Sequence, residues 1–270
     1  MKNYPSSTIL ASLAFLAAWA VLTLPLQAQT TANNSTREPV VVELFTAEGC
    51  SSCPPAEAIA RKMEQQVIPG ADLIVLEEHV TYWNHGGWID PFSSSEWTER
   101  QSAYVSKLAR DTLYTPEMVV DGEMQFTGSN GRVAQAAIEK ALLSPETDVT
   151  ITDTKVDPKG VDDFKVSIGK LEGSSAGDSA EVWIALTEDG LHSAVSAGEN
   201  AGHTLYHAAV LRYLHKIGVA ESKGDADSFT GHARVKVKSK WKPQNINIIA
   251  LVQEKKSLRI IGAAEIKLPT

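Results

Sequence analysis

The chain has 270 residues, a formal net charge of −8, 43% hydrophobic residues and only two cysteines. Length and composition suit an ordinary folded protein with room for two cores, and they exclude collagen-like, low-complexity and disordered classes. An acidic balance with no clustered basic stripe argues against a nucleic-acid partner, because phosphate contacts need grouped Lys and Arg.

Residues 1–28 read as a signal peptide. Lys2 is the only charge before the apolar run from Ile9 to Leu26, and cleavage is expected after Ala28. An uncleaved anchor would leave the remainder on the same side of the membrane. The expected location is periplasmic or secreted, with no membrane span after cleavage, since no later stretch is long and apolar enough to cross a bilayer. Residues 29–38 are polar and aperiodic, a flexible leader.

Val40 to Phe45 is a β-branched, mostly apolar run, the pattern of a strand buried on both faces. The CxxC Cys50-Ser51-Ser52-Cys53 follows, then a helical pattern from Ala56 to Val67 that Pro69-Gly70 stops. Leu73 to Leu76 is a second buried strand. An aromatic, Gly- and Pro-rich segment at 82–95 leads to a helix over Glu96 to Arg110. Thr115-Pro116 precedes a short strand, Met118 to Val120. Asp121-Gly122 is a hairpin turn signal, Met124 to Phe126 returns, and Arg132 to Leu143 is a helix.

This order predicts a thioredoxin-like α/β domain over 39–145, a central mixed sheet flanked by helices, with an insertion at 82–95. Past Ser144-Pro145-Glu146 the texture changes to short alternating runs: Val149 to Ile151, Phe164 to Ile168, Val182 to Leu186, Ala233 to Val237, Ile246 to Val252 and Leu258 to Ile266. These predict a C-terminal antiparallel β-sandwich domain over 146–270. Leu205 to Ile217 fits neither period cleanly and leans to strand.

Both cysteines lie in one CxxC, and a bridge across two residues constrains too little chain for a structural role to explain it. A structural zinc site needs four ligands and there is no second cysteine pair, so no metal is assigned, although His79 and His85 could supplement the thiols. A dithiol–disulfide couple fits better. With the helix starting at Cys50 or Ser51, Cys50 is the nucleophile and Cys53 the resolving thiol. Pro54 and Pro55 remove two donors, so the expected Cys50 pKa is about 6 to 7.5.

Thr115 and Pro116 are expected beside the CxxC, with Thr115 backbone groups offered to a substrate if the bond is cis and a plain strand start if it is trans. The aromatic segment has two readings. His79, Trp83 and Trp88 line a substrate groove or handle protons, or they form a small cluster that anchors the loop. Glu48 and Glu57 read as solvated helix-end charges.

Several stretches resemble one bacterial secreted family, catalogued as domain of unknown function 1223. They are Phe45 to Ala56, His79-Val80-x-Tyr82-Trp83, Gly87-Trp88-x-Asp90-Pro91-Phe92, Thr98 to Gln101 and Tyr114-Thr115-Pro116-x-Met118-Val119-Val120. Gly198-Glu199-Asn200-Ala201-Gly202-x-Thr204-Leu205 and Val210-Leu211-Arg212 extend the likeness into the second half. The resemblance implies a thioredoxin-like fold with Cys50, Cys53 and Pro116 in redox positions. It implies no substrate.

The expected function is an exported thiol–disulfide oxidoreductase acting on a thiol- or disulfide-bearing protein or small-molecule client, with a redox partner protein and no cofactor. The alternatives are a binding protein whose cysteines hold Cu(I), and an interaction protein whose disulfide is a relic of the fold.

Overall fold

The computed structural model describes residues 37–108, 110–156, 161–176, 178–221 and 227–269; the predicted signal peptide and most of the leader lie outside them. In chain order the elements are β1 (Glu38–Thr46), α1 (Pro54–Gln65), β2 (Ala71–His79), α2 (Ser95–Lys107), β3 (Glu117–Val120), β4 (Met124–Thr127) and α3 (Gly131–Ala141). The second half contributes β5 (Val149–Val156), β6 (Val161–Ile168), β7 (Ala180–Glu188), β8 (His192–Ala194) and β9 (Thr204–Tyr206). It ends with β10 (Val210–Ala220), β11 (Phe229–Lys236), β12 (Ile246–Glu254) and β13 (Ile260–Lys267).

Eight strands form one mixed sheet in the order β13-β12-β7-β10-β2-β1-β3-β4. This corrects the expected fold class of a helix-flanked thioredoxin-like domain followed by a separate β-sandwich. Four antiparallel-texture strands of the second half do not close on themselves but extend the sheet that β1 and β2 begin. The joint is a short parallel contact, Val210 opposite Glu77, with the Glu77 amide donating to the Ala209 carbonyl at 2.8 Å. A strand's alternating apolar face does not disclose its neighbour. An edge left open by β2 has unpaired backbone groups, and the start of β10 meets that edge at Glu77.

Alternation on β1 assigns the faces. Val40, Val42 and Leu44 pack with Ala56, Ala60 and Met63 of α1 and Ala134, Ala137 and Ile138 of α3. Val41 turns to the opposite face, where Ile74, Leu76, Trp97, Leu211, Ile249 and Leu251 bury one another. Beside α1 and α3, the three-stranded sheet β11-β6-β5 covers the remainder of their face with Phe164, Val166 and Ile168 against Val182, Ile184, Leu186 and Ile248. At about 25 cal/mol per Å² of apolar area, these clusters supply the main favourable term of folding.

Local signals work as expected at the hairpin. Asp121 and Gly122 have φ of 47° and 66°, both positive as a type I′ turn requires, and the Glu123 amide donates to the Val120 carbonyl at 3.0 Å. A Cβ at residue 122 would stand 2.1 Å from the Leu258 carbonyl oxygen, so only glycine fits. Ser94 caps α2 by accepting from the Glu96 amide, and Asn130 caps α3 by accepting from the Val133 amide.

The α2 face of the sheet buries a charged network. Arg100 Nε contacts Glu43 and lies 3.4 Å from Glu78 Oε1, and the Tyr104 hydroxyl donates to Glu43 Oε2. Gln253 of β12 accepts from Arg100 Nη1 at 3.1 Å and donates to the Tyr104 oxygen at 2.9 Å, tying the second half of the chain in. Burial first, and Glu43 second, push the Glu78 carboxyl well above the usual carboxylate range. One guanidinium therefore balances Glu43. Arg100→Ala strands that charge and is expected to lower unfolding free energy by about 3–5 kcal/mol, read from the urea midpoint.

Asp121 gives a pH signature at the hairpin. Its Oδ1 accepts from the Val41 amide at 2.8 Å. Burial outweighs that bond and pushes the carboxyl from 3.8 up to about 7. A raised folded pKa favours the fold while the group is protonated, so this contribution is full below the unfolded value and lost as pH rises through about 7. Asp121→Asn keeps an acceptor and removes the proton. Urea midpoints measured across that window should slope less in the variant than in the wild type.

Candidate functional site

Cys50 and Cys53 are joined as a disulfide. α1 starts at Pro54, with Cys53 as its N-cap residue and both prolines in its first turn. The expected start at Cys50 or Ser51 is a turn too early. Proline has no N–H to lose and its fixed φ suits the first helical position, so the CxxC before it folds as a turn. The Cys53 amide donates to the Cys50 carbonyl at 3.2 Å. Helix-terminal N–H groups therefore bear first on Cys53, while the Ser52 hydroxyl lies 3.3 Å from Cys50 Sγ.

Neither cysteine is open to solvent. Both are 0% exposed, packed with Phe45, Ala47, Val80, Tyr104 and Val119, whereas Ser51 and Ser52 between them are exposed. This shielding has no sequence signal.

The residues singled out from the sequence divide into two groups. Thr115, Pro116, Trp83 and Trp88 gather at the CxxC loop. The Thr115–Pro116 bond is cis, Pro116 is buried, and the Thr115 carbonyl is 3.5 Å from Ser52 Oγ. Trp83 Nε1 donates to Thr115 Oγ1 at 2.7 Å, and its ring stacks on exposed His85. A Cβ on Gly49 would lie 2.7 Å from the Trp83 carbonyl oxygen, so the tryptophan loop reaches the CxxC only because residue 49 is glycine. Trp88 Nε1 donates to Glu48 Oε2 at 2.8 Å.

His79 belongs to the second group, a polar cluster on the α1 face. Glu77 and His79 are two apart on β2 and so share a face. His207, from the segment just before β10, meets them there. His79 Nδ1 is 2.7 Å from Asp90 Oδ2, and His207 Nε2 is 3.1 Å from Glu48 Oε1. His207 Nδ1 lies 3.5 Å from Glu57 Oε2 and 3.8 Å from Glu77 Oε2. Phe92 packs edge-on against both imidazoles, at ring-centroid distances of 5.4 and 5.2 Å.

Glu48 and Glu57 correct the expectation of solvated charges: they are 0% and 1% exposed. Burial opposes ionisation of Glu57, but the hydrogen bond and charge of His207 outweigh it and hold the carboxyl below its usual value. For His207 burial is likewise outweighed, by hydrogen bonds to Glu48 and Glu57 and then by the charges of Glu57 and Glu77. Its pKa is raised to about 10, so the ring is an imidazolium at neutral pH. Burial first, then Glu57, raises Glu77 well above the carboxylate range. Asp90 is held low because His79 and the amides of Glu48 and Phe92 outweigh burial.

The second half of the chain completes the CxxC loop. Glu199 Oε2 accepts from the Ser51 amide at 3.1 Å and from its hydroxyl at 2.7 Å. Asn200 Nδ2 donates to the carbonyls of Glu48 at 2.8 Å and Cys50 at 3.0 Å. Sequence reasoning missed both as site residues. The only available signal was the run Gly198 to Gly202, where Gly198 and Gly202 have φ of 78° and 84° and fold the segment into a tight loop.

The family model described as Protein of unknown function (DUF1223) matches residues 41–253. The chain belongs to that family. No curated protein matches it. Among solved structures, one from Agrobacterium tumefaciens is 26% identical, covering 86% of this chain and 96% of that chain at a TM-score of 0.62. HBP35 of Porphyromonas gingivalis is 16% identical, covers 86% of this chain and 76% of its own, and has a TM-score of 0.63, a likeness of fold.

Asn200 donates to both carbonyls, and without it the Cys50 carbonyl keeps the Cys53 amide while the Glu48 carbonyl loses its bond. Asn200→Ala is expected to destabilise the fold by about 1–3 kcal/mol, the cost of leaving a buried acceptor unmade. The same variant should reduce its disulfide faster with dithiothreitol, followed by timed alkylation and mass measurement.

Proposed function

We propose that this protein is an exported thiol–disulfide oxidoreductase that works in the cell envelope or outside it on thiol- or disulfide-bearing clients. The observation that carries this reading is the Cys50–Cys53 disulfide at the N-cap of α1, with Thr115 and the Trp83 loop against the same turn. An apolar leader ahead of the folded part supports the location.

The exchange balances as follows. In the reduced protein the Cys50 thiolate, with the Ser52 hydroxyl beside it, attacks a client disulfide, forming a Cys50–client bond and releasing one client thiolate. Cys53, at the helix N-cap, then attacks the Cys50 sulfur, releases the second client thiolate and recloses the pair. Two electrons pass to the client. The reverse sequence oxidises a client dithiol. Because both cysteines are covered, a client engages only after the exposed Ser51-Ser52 turn, held by Glu199, shifts.

The burial of both sulfurs favours a second reading, in which the disulfide is a closed latch that holds the loop and never exchanges. Cys53→Ser separates the two. Expressed with its leader, the variant should accumulate mixed disulfides on Cys50, detected as bands that collapse under reducing electrophoresis. If Cys50 stays a free thiol while wild type stays oxidised, the latch is correct.

A further inference from the structure

We infer that Glu77, His79 and His207 form a binding site for a divalent first-row transition ion of the zinc type, buried behind the CxxC loop and separate from its sulfurs. One donor atom from each of the three lies within 4.8 Å of the others, and Glu77 Oε2 stands 4.0 Å from His79 Nε2 and 3.8 Å from His207 Nδ1. Around an ion with bonds of about 2.1 Å the donors would draw together by roughly 0.5–1.5 Å, within reach of side-chain rotation.

The second observation is what these atoms lack. All three residues have 2% exposure or less, yet among the described residues Glu77 Oε1 and Oε2 and His79 Nε2 have no hydrogen bond of normal length and angle, and His207 Nδ1 has only the Glu57 carboxylate at 3.5 Å. Buried polar atoms are nearly always paired, and an ion between Glu77, His79 Nε2 and His207 Nδ1 would satisfy all three residues at once. Each histidine is also held from behind: His79 Nδ1 by Asp90, His207 Nε2 by Glu48. A carboxylate on the far nitrogen is the arrangement that fixes the tautomer and orientation of a metal-bound imidazole. Glu57 Oε2, 3.5 Å from His207 Nδ1, is the next oxygen beside the site.

The donor chemistry selects the class of ion. Two imidazoles and a carboxylate suit zinc and its neighbours, whereas calcium takes six or more oxygens and Cu(I) prefers sulfur; the ion enters in exchange for the protons on His207 Nδ1 and the Glu77 carboxyl. Phe92 closes the site against both rings, and the positions of the three residues make entry coincide with folding, since β10 must join β2 before His207 reaches Glu77.

The test unfolds the purified full chain in chelator, refolds it with zinc sulfate, removes loose metal and measures bound zinc by mass spectrometry. One equivalent is expected in the wild type and also in the Cys50→Ser/Cys53→Ser double variant. Glu77→Gln and His207→Gln should lose zinc, and Asp90→Asn should weaken it about tenfold, as outer-shell changes do. Circular dichroism reports whether each variant folds. Cobalt in place of zinc should give d–d bands without a thiolate charge-transfer band. Refolded wild type without zinc, or zinc that disappears with the cysteines, overturns the site whatever the histidine and glutamate variants do.

Discussion

Ionisable groups in the middle of a sheet are costly unless each finds a partner, and β2 carries three in a row: Glu77, Glu78 and His79, all with 0% exposure. Alternation sends Glu78 to the α2 face and its neighbours to the α1 face. On one side the answer is Arg100, shared with Glu43 and braced by Tyr104 and Gln253. On the other it is a ring of Asp90, His207, Glu57 and Glu48. Elements far apart in the chain converge on β2 because these charges need them there.

The CxxC loop inherits its surroundings from that requirement. Glu48 bonds His207 with one carboxylate oxygen and Trp88 with the other, and its amide donates to Asp90. The segment entering the cysteines is thus fastened to the polar cluster, while Asn200 fastens its carbonyls from outside. A loop held at this many points is pre-set in one geometry, and the disulfide is covered as a by-product.

Much of the fold was legible locally. Buried strands at Val40 to Phe45 and Leu73 to Leu76, the Asp121-Gly122 hairpin and the three helices follow from periodicity, propensity and turn chemistry, which act over a few residues. Leu205 to Ile217 was hard to read because it holds a short strand, the buried His207 and then β10, whose bulges shift the register between Leu211 and Tyr213 and between Lys216 and Gly218. The separate β-sandwich failed as an expectation because alternation tells which residues face inward but carries no information about which strand lies alongside.

For this protein the amino-acid sequence alone determined most of the elements, the CxxC, its approach through a buried strand and the family, since each depends on neighbours in the chain or on contiguous motifs. Tertiary structure alone decided that one sheet runs through both halves, that Glu199 and Asn200 grip the cysteine loop, and that His207 meets Glu77 and His79. Those pairings span more than a hundred residues. Their energies come from desolvated charge and unpaired backbone, which exist only once the chain is folded around them.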